Sequence, residues 1–327
     1  MKRLLVVWLT LVVFLVGCQA SGYEAYEEAV AKTETIERAK SITEMNMSYT
    51  FNDEGLSEEV KRQLNNFKDV GFESTTSYDS ALEATAMDLF ISLGGMGFSS
   101  EFIKVGQEAV IKMPVLEKYM TLAELQKFNE ASNTAPVDYN NMVTAETIEQ
   151  IEKDWNDMVL SGQVVRGEKD ILETPEGAVR VTKYDISPDP QALTAFFRQT
   201  ADMIMNDPQV QDYLEKTQAE ASDQGASLDL KAILSDWVDQ VEIAKIQLVD
   251  YIDVDGYIVD ETINFELQFT DAGPGSMTHM TFELHSKIYE INKDQNIQLP
   301  ELNENNTLTV DQLKTDMPAS FENLINQ

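Results

Sequence analysis

Apolar and polar positions alternate along much of this chain, and elsewhere apolar positions recur every three or four residues. The segment after residue 22 is of the second kind: Tyr23, Tyr26, Val30, Thr33 and Ile36 predict a helix over 23–42, with Glu and Lys on its other face. Met45, Met47, Tyr49 and Phe51 then alternate with Asn46, Ser48, Thr50 and Asn52, the pattern of a strand with one face buried and one wet. A short helix or long loop is expected over 57–69. Residues 72–78 alternate again, and Met87, Leu89, Ile91 and Leu93 mark a third strand stopped by Gly94-Gly95. Residues 102–113 read as two short strands about Gly106-Gln107-Glu108, ended by Pro114.

Helical spacing returns over 121–160, weakly at Leu122, Leu125 and Phe128 and more strongly at Ile148, Ile151, Trp155, Met158 and Val159. Two strands over 163–172 and 178–186 then flank the turn Thr174-Pro175-Glu176-Gly177. Three helices follow. Leu193, Phe196, Phe197, Thr200 and Ile204 mark the first, and Asp207-Pro208 opens the second. Leu230, Ile233, Leu234, Trp237, Val238 and Val241 mark the third. Strands over 243–254 and 257–270 meet at Asp255-Gly256, a strong hairpin dipeptide. Met280, Phe282, Leu284 and Ile288 form one face of a last strand.

No low-complexity linker divides 23–327, so a single domain is expected. A sheet with one apolar face must cover it, and the helices over 190–241 are the natural cover. The pattern predicts an α+β fold: a curved antiparallel sheet, an incomplete barrel, with helices on its concave side.

The N-terminus follows different rules. Met1-Lys2-Arg3 precedes an apolar run over 4–16, broken only by Thr10. At 1.5 Å per residue this run covers about 20 Å, too short for a good spanning helix. A basic start, a short apolar stretch and a small residue before a cut site describe a secretory signal. Leu15-Val16-Gly17-Cys18 resembles the lipobox of bacterial lipoproteins. That resemblance implies removal of 1–17 and a diacylglycerol on Cys18, the only cysteine of the chain. Two acyl chains on one residue make a lasting anchor. Residues 18–22 then form a short tether, and the expected location is the outer leaflet of a bacterial cell membrane.

The order of elements also resembles a family. The carrying segments are the helix from Tyr26 to Thr33, a meander ending in Ile111-Lys112-Met113-Pro114, and Glu176 to Tyr184. Tyr289-Glu290-Ile291-Asn292 and Ile297-Gln298-Leu299-Pro300 follow the last strands. Together they resemble the LolA-like and LppX-like lipoproteins, in particular the surface lipoproteins of Gram-positive bacteria. The resemblance covers most of 23–300 and is one of pattern. It implies an incomplete β-barrel closing over helices around a hydrophobic cavity, and a carrier function for lipid or lipoprotein.

Charge narrows the chemistry. Asp and Glu total 57 against 24 Lys and Arg, a net charge of −33, so a phosphate backbone would be repelled and no nucleic-acid partner is expected. At 43% hydrophobic residues the chain can still build a core. His279 and His285 fall on the strand face opposite Met280, Phe282 and Leu284, about 20 Å apart at 3.3–3.4 Å per residue. They cannot share a metal and are expected to face solvent. Asp253-Val254-Asp255-Gly256 with Asp260 hints at a calcium loop, but the terminal Glu is missing and a hairpin turn explains it better. Gly94-Gly95-Met96-Gly97 lacks a dinucleotide fingerprint, and no nucleophile–base motif is present. No metal, cofactor or catalytic residue is therefore expected.

The remaining signal is apolar. Met45, Met47, Tyr49, Phe51, Met87, Leu89, Ile91, Phe265, Leu267, Phe269, Phe282 and Leu284 are expected to face inward together. Such a surface suits either an ordinary core or a cavity for an amphiphile, because Met adapts its shape and rings bury large areas. Two functions are compatible with it: a non-enzymatic lipoprotein binding an amphiphile between sheet and helices, or an envelope protein-interaction module with a filled core. The protein partner in the second case is not named by any motif.

Overall fold

Two-residue turns set the topology. In the computed structural model, which describes residues 22–114, 116–131, 143–161, 163–223, 238–270 and 273–312, Leu93 pairs with Met96 around Gly94-Gly95 and Thr174 with Gly177 around Pro175-Glu176. Gly94 and Gly95 have φ of 59° and 78°, the left-handed pair that a tight hairpin with native twist requires. Residues 1–17, Cys18 and the predicted helical positions Leu230, Ile233, Leu234 and Trp237 lie outside the described residues.

The strands are β1 (Arg38–Phe51), β2 (Asp69–Asp79), β3 (Ala84–Leu93), β4 (Met96–Val105), β5 (Glu108–Lys112), β6 (Tyr119–Thr121), β7 (Gln163–Thr174), β8 (Gly177–Ser187), β9 (Val241–Asp253), β10 (Ile258–Phe269) and β11 (Met277–Tyr289). They make one antiparallel sheet in the order β6-β5-β4-β3-β2-β1-β11-β10-β9-β8-β7. Each half is a meander, and the pairing of β1 with β11 joins first strand to last. The sheet is not closed, since β6 and β7 are its two edges.

The helices are α1 (Gly22–Thr33), α2 (Glu58–Asn65), α3 (Leu122–Ala131), α4 (Ala145–Ser161), α5 (Pro190–Asn206) and α6 (Pro208–Asp223). The structure corrects the first expected helix, which ends at Thr33 rather than at 42. Thr33 Oγ1 accepts from the Ile258 amide at 2.9 Å and pins the helix end to β10. Residues from Arg38 onward pair with β2 on one side and, from Lys40, with β11 on the other. Ladder bonds on two sides override the helical spacing of Ile36. A second correction concerns Val241, which opens β9 opposite Phe269 instead of closing a helix.

The helices cover one half of one face. α5 packs on β9 and on α4, while α1 meets β7 and β10. The core here joins Met158 and Leu193 to Ile186, Val241, Ile243, Leu248 and Leu267, with Phe196 and Phe197 against them. α5 starts where Pro190 follows Asp189, whose carboxylate accepts from the Gln191 and Ala192 amides. α3 packs against β5 and β6 beside a small further cluster about Met120 and Leu308. No described helix packs extensively on β1–β4.

Asp207 ties α4 to α6. It is 2% exposed and accepts from the Thr144 amide and hydroxyl, the Thr147 hydroxyl and the Gln209 amide. Burial opposes its ionisation, but the Thr144 and Thr147 hydrogen bonds outweigh burial and hold its pKa well below the usual carboxylate range. Its contribution is present above the unfolded carboxylate pKa and is lost as pH falls through the lower folded value. Asp207→Ala should therefore weaken amide-exchange protection at the starts of α4 and α6. Protection in β9–β11 should stay; uniform loss would mean the link is not local.

Candidate functional site

Register decides which side chains share a face. One row across the sheet runs Leu248, Ile263, Leu284, Met45, Phe72, Ile91, Phe98, and the next runs Ile246, Phe265, Phe282, Met47, Val70, Leu93, Met96. Leu267 and Tyr49 flank Met280 one row further, and Met87 and Leu89 have the parity of Ile91. Phe51 and Phe269 continue β1 and β10 with the same alternation. The twelve apolar residues expected inward thus occupy one face. Their burial differs. Leu267 is 3% exposed in the core under the helices, Ile91 is 37% exposed, and the other ten are half-buried.

A cavity of about 380 Å³ lies on this same face, between α1 and the strands. Tyr23, Tyr26 and Val30 of α1 form its roof, Trp155 of α4 one side, and Ile186, Leu248 and Ile263 its floor. The aromatic walls are held by neighbours: Tyr26 against Tyr184 at 6.2 Å between ring centres, and Trp155 against Phe196 at 5.6 Å. Ile263 links the floor to the long apolar row. None of the twelve expected residues lines this cavity.

Two acids interrupt the apolar surface. Glu261 lines the cavity, and Asp250 is its direct partner across β9 and β10. Asp250 is 1% exposed, and neither of its carboxylate oxygens reaches a hydrogen-bonding position with a described residue. The Tyr26 hydroxyl is near enough to influence its charge. Burial first, then the Glu261 charge, push the Asp250 carboxyl up to about 7. Burial likewise raises Glu261, and burial followed by the Asp250 charge raises the Tyr26 hydroxyl.

A second cavity, of about 490 Å³, sits at the β9–β10 turn and is polar. Both its cations are already partnered: Lys293 with Glu176, and Lys32 with the Asp255 carbonyl and, 4.6 Å from its centre, the Tyr257 ring. Val259 shares the parity of Ile263 but lines this second cavity. Here Asp253 Oδ1 accepts from the Asp255 and Tyr257 amides, and Gly256 has φ of 86°, which accounts for Asp253-Val254-Asp255-Gly256 as a turn. Asp260 is 3% exposed on the opposite face, 3.0 Å from His285 Nε2 and 3.8 Å from Lys287 Nζ. His285 therefore holds a buried carboxylate rather than simply facing solvent. Among the described residues no group of three or more His, Cys, Asp or Glu is placed to hold a metal ion.

No family model matches the chain, and no curated protein matches it. Among solved structures it is similar to a LolA superfamily protein from Nitrosomonas europaea, at 6% identity over 87% of this chain and 96% of that chain, with a TM-score of 0.22. A beta-barrel-like protein with a domain of unknown function from Brucella abortus is similar at 8% identity, over 78% and 98% of the two chains, with a TM-score of 0.16. At TM-scores this low neither likeness bears on what this chain binds.

The acids that mark the cavity were readable in part. Glu261 falls at the parity of Val259, Ile263, Phe265 and Leu267, and Asp250 at that of Ile246, Leu248 and Ile252. A charged residue at an apolar parity on each arm of one hairpin is a usable signal. Tyr26 was assigned to the inner side of its helix, but nothing local announces that it meets Asp250.

Proposed function

We propose that this protein is a non-enzymatic, lipid-anchored protein of the outer face of a bacterial membrane, binding an amphiphile on the apolar face of its sheet. On this reading the sheet curves so that this face is concave. The headgroup sits in the cavity under α1, and the apolar chain lies along Ile263, Leu284, Met45, Phe72, Ile91 and Phe98. The continuity of that row with the cavity carries the proposal. Five strand-to-strand steps at 4.7–4.9 Å make the row roughly 24 Å long, the scale of a long acyl chain. Ligand sites are mostly apolar with few polar groups, as here.

The reading as an interaction module draws on one observation: Ile91 and Met96 are 37% and 55% exposed on the part of the face that no described helix packs extensively upon. The two separate by substitution. The folded wild type should bind an apolar, environment-sensitive dye that a long-chain amphiphile displaces. Val30→Trp fills the space under α1, so it should abolish displacement with only a small change in melting temperature, because an empty site accepts the ring. In a filled core, overpacking would cost about 1–3 kcal/mol. Marked destabilisation, together with no dye binding by the wild type, would remove the amphiphile reading.

A further inference from the structure

We propose that the bound amphiphile carries a cationic headgroup, an organic ammonium, seated in the α1 cavity against Glu261 and the rings of Tyr23, Tyr26 and Trp155. This rests on the reading of the cavity as an amphiphile site and names the class of ligand.

Three observations converge. Among the described residues, the charged groups lining the cavity are Glu27, Glu34 and Glu261, with no Lys or Arg. Asp250, beneath them on the same face, is 1% exposed and lacks a hydrogen-bond partner among the described residues. Asp250 lies behind the cavity wall as the cross-strand neighbour of Glu261, so its buried charge is costly and a positive charge held against Glu261 would relieve it. Three aromatic rings share the cavity, and ring faces attract ammonium groups, more strongly when water is excluded.

The alternatives fit less well. An anionic headgroup would meet Glu27, Glu34 and Glu261 with no compensating base among the described residues, and like charges at close range repel. A neutral sugar could donate hydrogen bonds but would leave the carboxylates without a counter-charge. The cation differs from both in satisfying acids and rings together. The apolar floor of Leu248 and Ile263 then directs its chain onto the open row.

The test compares three probes of one chain length by titration calorimetry at pH 8: octyltrimethylammonium, octyl glucoside and octyl sulfate. Salt near 0.3 M shortens screening to under about 8 Å, so the general acidity of the surface contributes little. Octyltrimethylammonium should bind about ten-fold tighter than the glucoside, and the sulfate should bind weakest. Glu261→Gln should bring the ammonium-to-glucoside affinity ratio from about ten to about one, the ratio rather than either affinity being the readout. Trp155→Leu, which keeps apolar bulk without the indole face, should also lower the ammonium-to-glucoside ratio and supplies the site assignment if Glu261→Gln does not fold. Equal binding of ammonium and glucoside would overturn the cationic headgroup but leave amphiphile binding standing. A preference that persists in both variants would overturn its placement under α1. Failure of all three probes would overturn the amphiphile reading itself.

Discussion

Ligand-free Asp250→Asn should melt several degrees above the wild type at pH 8 and at the same temperature near pH 4. The Asp250 carboxyl is 1% exposed and pushed up to about 7, first by burial and then by the Glu261 charge. Its folded pKa thus lies above the unfolded value near 3.9. Between those two values the folded state binds more protons than the unfolded one, so stability falls as pH rises from about 4 to about 7 and is flat above. The shift corresponds to about 4 kcal/mol at 1.36 kcal/mol per unit. The groups around Asp250 are opposed: Glu261 on β10 and Asp260 nearby repel its charge, and the Tyr26 hydroxyl on α1 favours it, the repulsion and burial together prevailing. Thermal melts of both proteins across that pH range check the claim. A variant less stable than wild type at pH 8 would mean that Asp250 is paired and that the cavity floor is already satisfied.

The second large effect concerns the anchor. Cys18→Ser should move the protein from the membrane fraction to the medium, or leave an unprocessed precursor carrying 1–17. The reason is the sequence Leu15-Val16-Gly17-Cys18 after a basic start and a short apolar run. Loss of both acyl chains removes the only lasting attachment the proposal contains. Fractionation with mass measurement of the N-terminal peptide reads the result. Equal membrane retention, normal processing and no lipid on the wild-type peptide would refute it.

Much of the sheet was legible because its signals are local. Alternation in β1, β3, β10 and β11, and the turns Gly94-Gly95, Thr174–Gly177 and Asp255-Gly256, each lie within one hairpin. What they could not give is the pairing of β1 with β11, whose residues Lys40 and Tyr289 are brought together only after both meanders form. That same pairing explains the misplaced end of α1, because residues after Arg38 are held by neighbours distant in sequence. The face of the expected apolar residues was legible from parity, but their cover was not. Met45 and Leu267 have the same pattern in sequence, yet only Leu267 lies under helices. The cavity escaped for a related reason: it is made by α1, α4 and three strands, and only Glu261 and Asp250 break the pattern locally. Leu15-Val16-Gly17-Cys18, which resembles a lipobox, is the clearest local motif of all, and what it implies concerns location rather than cargo.

Native mass spectrometry of the chain purified without denaturant tests amphiphile binding most directly. One bound amphiphile per chain is expected in the wild type, recoverable by solvent extraction and absent from Val30→Trp. A wild type of bare chain mass, with no extractable lipid and no uptake of an added long-chain amphiphile, would contradict it.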